Sequence, residues 1–216
     1  MNFNKYLSYF YPIRIKKIVS EYHTLELTWN NGKLLLDSAF ANYSYGNLHK
    51  VFQMAFKQSK LVVSPTANVL LLGLGGGSII EILEYEYSFK GQITAIEIDK
   101  TVISLYRDVF ASQHNTQLNI VEQDALNWVN NPTELGKFDL IICDLFIDLE
   151  MPEFMYSSSF YQKIKNKLNE KGTVYVNTIH SSEQKKFSAS FFYPTFKQIE
   201  KLSLFDLNEV YALKKT

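Results

Sequence analysis

Val69-Leu70-Leu71-Leu72-Gly73-Leu74-Gly75-Gly76-Gly77-Ser78-Ile79-Ile80 is the stretch that decides the fold. Val69 to Leu72 are four consecutive apolar residues, the pattern of a strand buried on both faces of a parallel sheet. Gly73, Gly75, Gly76 and Gly77 follow, where backbone can turn sharply and approach a ligand with no Cβ in the way. Ser78 and Glu81 have the spacing of a capping box, which predicts a helix starting at Ser78. Ile79, Ile80, Ile82 and Leu83 then suit a face packed on the sheet. Strand, glycine turn and helix start form a cradle for a nucleotide-type ligand, with free N–H groups at the helix N-terminus. Many turns carry two glycines, so the downstream pattern has to decide.

That pattern alternates. Gln92–Ile98 reads as a strand, Lys100–Phe110 as a helix, Leu118–Glu122 as a strand, and Asp124-Ala125 opens a short helix through Val129. Phe138–Cys143 is a strongly apolar strand, Ser158–Leu168 a helix, Thr173–Thr178 a strand and Gln184–Phe196 a helix. Two last strands, Gln198–Phe205 and Glu209–Leu213, are joined by a tight turn at 206–208. Strands alternating with helices imply a doubly wound, mostly parallel α/β sheet whose strand ends share one edge. Three acids sit at those ends. Glu97 is placed to accept from both hydroxyls of a ribose, or is a solvated acid. Asp124 is placed to accept from an adenine amino group, with the Ala125 N–H serving the ring, or is a helix N-cap. Asp144 stands where a base or substrate anchor would sit, or merely shapes its loop. Three acids on successive strand ends after a glycine turn point to an adenosine-type ligand. A nicotinamide-binding domain wants glycine at the sixth position of the run, where this chain has Ser78. The terminal strand pair also fits a sheet with an antiparallel seventh strand, which disfavours a dehydrogenase.

Ahead of this block, residues 1–12 look irregular and residues 13–37 read as β structure. Leu25, Leu27 and Trp29 alternate with polar partners, Asn30-Asn31-Gly32 is a hairpin turn, and Leu34–Leu36 returns. A loop over 38–46 and a helix near 47–60 follow, giving an N-terminal element (1–60) and a nucleotide domain (61–216). With 216 residues the chain can bury a full core. Lys plus Arg equals Asp plus Glu at 22 each, so no global field attracts nucleic acid or a membrane. The single cysteine, Cys143, fits a reducing cytosol, and no apolar stretch reaches the length of a membrane span. His23, His49, His114 and His180 show no metal-ligand spacing, so no metal is expected. Glu81, Glu84 and Glu86 read as a solvated helix face. Residues 151–156 are apolar for a loop and suit a lid or an interface.

Val69–Ser78, Ala95–Ile103, Asp124-Ala125 and Phe138–Asp144 together resemble class I S-adenosylmethionine-dependent methyltransferases, and most closely their spermidine synthase-like branch. Glu97-Ile98-Asp99 with Val102-Ile103, and Ser159-Phe160-Tyr161 with Leu168 and Gly172, match that branch in order and spacing. The resemblance covers roughly residues 13–213. It implies a seven-stranded Rossmann-like methyltransferase sheet with a small N-terminal antiparallel β element. It also implies that Gly73, Gly75 and Gly77 line the methionine part of the donor, Glu97 the ribose, and Asp124 with Ala125 the adenine, with Ile98 and Asp144 also donor-binding. The N-terminal element supports oligomers in the family, so a homodimer is expected, its interface drawing on residues 1–60.

Departures from that branch shape the expected activity. Spermidine synthases carry an aspartate where this chain has Gly76, and an aspartate where it has Ile147, with Asp148 one residue late. Asn177 stands where they have glutamine. A polyamine is a multiple cation, and holding it in a dry cleft takes several carboxylates. The expectation is therefore S-adenosylmethionine-dependent methyl transfer to a small-molecule acceptor, with Asp144 as base or orienting group. Two alternatives stand beside it: aminopropyl transfer from the decarboxylated donor, and a nucleotide-binding interaction module without catalysis.

Overall fold

The structure, a computed structural model, describes residues 3–22, 24–38, 45–131, 137–147, 150–179, 187–205 and 208–215. Its centre is a seven-stranded sheet built of β4 (Asn68–Leu72), β5 (Gln92–Glu97), β6 (Gln117–Glu122), β7 (Phe138–Cys143), β8 (Leu168–Ile179), β9 (Gln198–Phe205) and β10 (Asn208–Lys214). Their spatial order is β6-β5-β4-β7-β8-β10-β9. Neighbours are parallel from β6 to β8, whereas β10 runs antiparallel to both β8 and β9. The order reverses at β4, where β5 leads one way and β7 the other, and this switch point opens a crevice above the strand ends.

Period-two alternation explains the double burial. Val69 and Leu71 join one core with Phe52, Phe56, Ile80, Leu83 and Tyr175. Leu70 and Leu72 join the other, with Trp128, Phe160, Tyr161 and Ile164. Helices α2 (Tyr45–Gln58) and α3 (Ser78–Tyr87) cover the first face, and α5 (Ala125–Asn130) and α6 (Ser158–Lys167) the second. The Phe56 ring meets Tyr175 edge-on at 4.9 Å. Between β5 and β6, helix α4 (Lys100–Leu105) continues through a π-helical stretch, Tyr106–Phe110.

Four expectations are corrected here. Residues 3–7 form a short helix, α1 (Phe3–Leu7). No periodicity announces it, because Ser8 anchors it by tertiary bonds: its hydroxyl and carbonyl accept from Gly32 N–H (2.9 Å) and Asn31 N–H (2.9 Å). Among the described residues of the expected 184–196 helix, only a 3-10 turn forms, Ala189–Phe191. Phe187, Phe192 and Phe196 are instead buried in the core around Tyr161 and Tyr211, and Pro194 lacks the N–H a helix needs. The capping box does not form either. Gly77 caps α3 in a left-handed conformation, and Glu81 pairs with Lys33 at 2.8 Å. Glu84 and Glu86 are likewise engaged, Glu84 by Asn115 N–H and Glu86 by Gln53, so that helix face is not simply solvated.

β1 (Ile13–Val19), β2 (Thr24–Asn30) and β3 (Lys33–Ser38) form a separate antiparallel sheet. Its two-residue turn, Asn31-Gly32, has positive φ at both positions, as a hairpin turn matched to strand twist requires. Leu27 is buried in the core of the large sheet, and Leu34 and Leu36 pack against it. Ser20, just after β1, donates to Asp99, which also caps α4 by accepting from Thr101 N–H at 2.8 Å. The small sheet is thus docked onto the core of the large sheet rather than standing alone. No helix of the described residues is long and apolar enough to cross a membrane.

Candidate active site

A cavity of about 280 Å³ lies over the carboxyl ends of β4, β5, β6 and β7. Of the residues singled out from sequence, Gly73, Gly75, Glu97, Ile98, Asp124, Ala125 and Asp144 all line it. They come from four strand ends spread over 72 positions, from Gly73 to Asp144, and the parallel topology alone brings them together. Gly77 does not line the cavity. A Cβ there would lie 2.7 Å from the Tyr106 ring, so its role is to let α3 start hard against α4 and its π-helical extension. Ser78 and Gly76 take its place in the wall.

The glycine turn is fixed from two sides. Gly73 N–H donates to the Ile96 carbonyl and Asp144 N–H to that of Leu72, each at 2.9 Å. Gly73 has φ +95°, and a Cβ on it would fall 2.2 Å from the Asp144 carbonyl oxygen. Gly75 has φ +52° with open space where a Cβ would stand. Glu97 accepts from Leu74 N–H at 2.9 Å through one carboxylate oxygen and from Asp99 N–H at 3.0 Å through the other. It therefore ties the turn to the end of β5, and each oxygen keeps a lone pair for a further donor. Asp124 is the N-cap of α5, its Oδ1 accepting from Asn127 N–H at 2.8 Å. Capping and ligand binding are compatible here, because Asp124 lines the cavity as well.

Asp144 stands at the bottom of the cleft, half-buried, with Asn177 Nδ2 donating to its Oδ1 at 2.9 Å. Burial pushes its carboxyl up from 3.8 to about 6, against the opposing hydrogen bond from Asn177, and the negative charge of Glu97 adds to the rise. Such a group is ionised at neutral pH and takes up a proton readily, the property required of a base.

Several wall residues escaped the sequence reading. Leu25, Leu36 and Asp37 reach the cavity from the small sheet, and Asn208 from β10. On the other side the wall is apolar, with Leu145, Phe146, Ile147, Pro152 and Phe154. Residues 151–156 are pinned by the buried Met151 and Met155 and by Tyr161, whose hydroxyl donates to the Met155 carbonyl at 2.7 Å. Pro152 and Phe154 of this segment wall the cavity. Of the other candidates, His49 lies 3.8 Å from Glu81, away from the cavity, and His114 pairs with Glu84 at 3.1 Å. Asp148, His23 and His180 lie outside the described residues.

Comparison with known proteins agrees with this architecture. Residues 52–203 match the family described as the spermine/spermidine synthase domain. The chain is 34% identical over 110 residues to a polyamine aminopropyltransferase of Buchnera aphidicola subsp. Acyrthosiphon pisum, the match taking in 49% of this chain and 37% of that one. It is 32% identical over 109 residues to the polyamine aminopropyltransferase of Pectobacterium atrosepticum, with 48% and 37% covered. The chain thus matches little more than a third of these curated relatives' length. Among solved structures, a probable spermidine synthase from Corynebacterium glutamicum superimposes with a TM-score of 0.70 at 16% identity, covering 93% of this chain and 80% of that one. Human methyltransferase-like protein 13 gives 0.60 at 20%, covering 79% and 81%. At such identities the likeness is one of fold.

Proposed function

The chain belongs to the spermine/spermidine synthase family, and from that premise we propose that it transfers an aminopropyl group from decarboxylated S-adenosylmethionine to a small amine. The observation that carries this reading is Asp144, a half-buried carboxylate raised to about 6 at the floor of a cavity whose other strand-end acids suit a nucleoside. The names of the curated relatives put aminopropyl transfer ahead of the methyl transfer expected from sequence.

The residues present fit an adenosyl donor. Gly75 leaves open space at the turn, Glu97 keeps acceptor sites for ribose hydroxyls, and Asp124 with Ala125 edges the far end of the cavity. A bound adenosyl sulfonium supplies an electrophilic carbon that needs no further activation. What remains for the protein is to hold the acceptor nitrogen in line, keep it unprotonated and exclude water. Asp144 takes the proton that the amine must lose. Phe146, Ile147, Pro152 and Phe154 dry the approach and suit an acceptor with an apolar body. Methyl transfer is the second reading, favoured by Gly76, which lines the cavity without the carboxylate that would hold the donor's free amine.

Calorimetry with both donors separates the two. Under the leading reading decarboxylated S-adenosylmethionine binds more tightly than the intact donor, and the reverse order rejects it in favour of methyl transfer. In either case Glu97→Ala, which removes charge-assisted hydrogen bonds worth about 1.5–3 kcal/mol each, weakens the donor at least roughly tenfold. An unchanged Kd in a folded variant would put the donor elsewhere.

A homodimer remains part of the proposal. Phe3, Tyr6, Tyr9, Phe10, Tyr11 and Val19 are all more than half exposed and lie in the first 19 residues, a concentration that marks interaction surfaces. Light scattering should report twice the 25.0 kDa chain mass, and a monomer at micromolar concentration would reject it.

A further inference from the structure

Behind Asp144 runs a chain of amides that extends to the antiparallel strand. Asn177 on β8 donates through Nδ2 to Asp144 Oδ1 at 2.9 Å, and accepts at its own Oδ1 from Asn208 Nδ2 at 3.1 Å. Asn177 is 1% exposed, so its amide has no water to fall back on. Asn208 opens β10 and lines the cavity. It reaches Asn177 because β10 pairs antiparallel with β8, with Asn208 opposite Ile179 and Val210 opposite Asn177.

We propose that Asn208 is a positioning residue for Asp144, setting through Asn177 which way the amide chain points and hence how tightly Asp144 holds a proton. An ionised carboxylate can only accept, so the chain must run from Asn208 through Asn177 to Asp144, each amide donating onward. A protonated Asp144 carries a donor, and the chain can then reverse: Asp144 donates to the Asn177 carbonyl and Asn177 donates to the Asn208 carbonyl. Both directions satisfy every buried group, so the pair of amides responds to the proton on Asp144 without opening the site. Without Asn208, no other described residue holds the Asn177 carbonyl away from Asp144, and the protonated form gains. The charged groups facing this chain are Glu97 from the end of β5, which acts directly on Asp144, and Asp37 and Asp124 across the cavity. No lysine, arginine or histidine is among the described lining residues. The amides therefore provide the adjustable contact on Asp144.

This role rests on the transferase reading for its purpose, but its test does not. In the protein labelled with ¹³C at aspartate carboxyls, the Asp144 resonance is titrated in wild type, Asn208→Ala, Asn177→Ala and the double variant. Asn208→Ala should raise the Asp144 midpoint by about half a pH unit, a roughly threefold change in proton affinity. Asn177→Ala should raise it further, and adding Asn208→Ala to Asn177→Ala should then change nothing. An Asn208 effect that persists undiminished without Asn177, or no effect of Asn208→Ala at all, would overturn the relay. Asn208→Asp is the second variant: an acceptor-only group there forces the reversed direction and should raise the midpoint by a full unit or more, less in the Asn177→Ala background. With an amine acceptor, the acid limb of the transfer rate should move by the same amount. Shifted titrations with no turnover in wild type would reject the transferase reading and leave the relay standing.

Discussion

Asp144→Asn should reduce transfer at least about a hundredfold while making the ligand-free fold more stable at pH 8. Both effects follow from one buried charge. General-base contributions are typically about 10²–10⁴-fold, and an amide cannot take the proton. On the stability side, the folded-state value of Asp144 is raised above its ordinary 3.8, to about 6. The ionised folded form is therefore disfavoured. That penalty is fully present above pH 6, shrinks as pH falls through the window and is gone below 3.8, where Asp144 is protonated in folded and unfolded chains alike. A two-unit rise corresponds to about 3 kcal/mol, and water in the open cavity reduces it to about 2. For a chain of this size Tm should rise by roughly 4–8 °C at pH 8, with the gain fading toward pH 4. Asparagine keeps the shape and an acceptor for Asn177, so the comparison isolates the charge. Activity within a factor of a few of wild type would remove Asp144 from the base role. A Tm gain that does not depend on pH would mean the stabilisation has another origin.

The sequence made much of this architecture readable, and the reasons are local. Val69–Leu72 and Leu140–Cys143 are apolar without a break because strands buried on both faces have no polar side to show. Acids at the ends of such strands share an edge by topology, so Glu97, Asp124 and Asp144 could be grouped before any contact was known. What escaped depends on partners distant in the chain. Asn177 sits 33 residues from Asp144 and 31 from Asn208, and only the β8–β10 register makes them one chain. Leu25 and Leu36 reach the cavity because a second sheet docks there, which their alternation alone does not reveal. The capping box failed because its two parts found other work, Glu81 with Lys33 and the cap position with left-handed Gly77. The helix expected over 184–196 gave way where Phe187, Phe192 and Phe196 were drawn into one aromatic core, burial there outweighing helix propensity.

Gly73→Ala should be the most damaging single-methyl change in the chain's central turn, and Gly75→Ala two residues away should be mild in stability. At Gly73 two costs coincide. Its φ of +95° lies outside the conformations L-residues adopt readily, which costs about 1–3 kcal/mol. The new Cβ would also meet the Asp144 carbonyl oxygen at 2.2 Å, and that atom is backbone held by the Asp144 N–H bond to Leu72. Strand β7 cannot give way without breaking the β4–β7 ladder, so overpacking adds roughly 1–3 kcal/mol more. The sum, about 2–6 kcal/mol, is a large share of the roughly 5–15 kcal/mol that holds an ordinary domain together. Any variant that still folds must shift Asp144 itself, so donor binding and transfer fall together. Gly75 has φ +52°, near the left-handed well, with nothing within 4 Å of an added Cβ. It should lose about 1–2 kcal/mol of stability and keep its fold, while the methyl intrudes on the cavity and weakens the donor. Urea unfolding and donor calorimetry on the two variants check this directly. Equal stability losses would mean that the Gly73–Asp144 approach is not what fixes the turn, and tight donor binding by Gly75→Ala would take the glycine cradle out of the site.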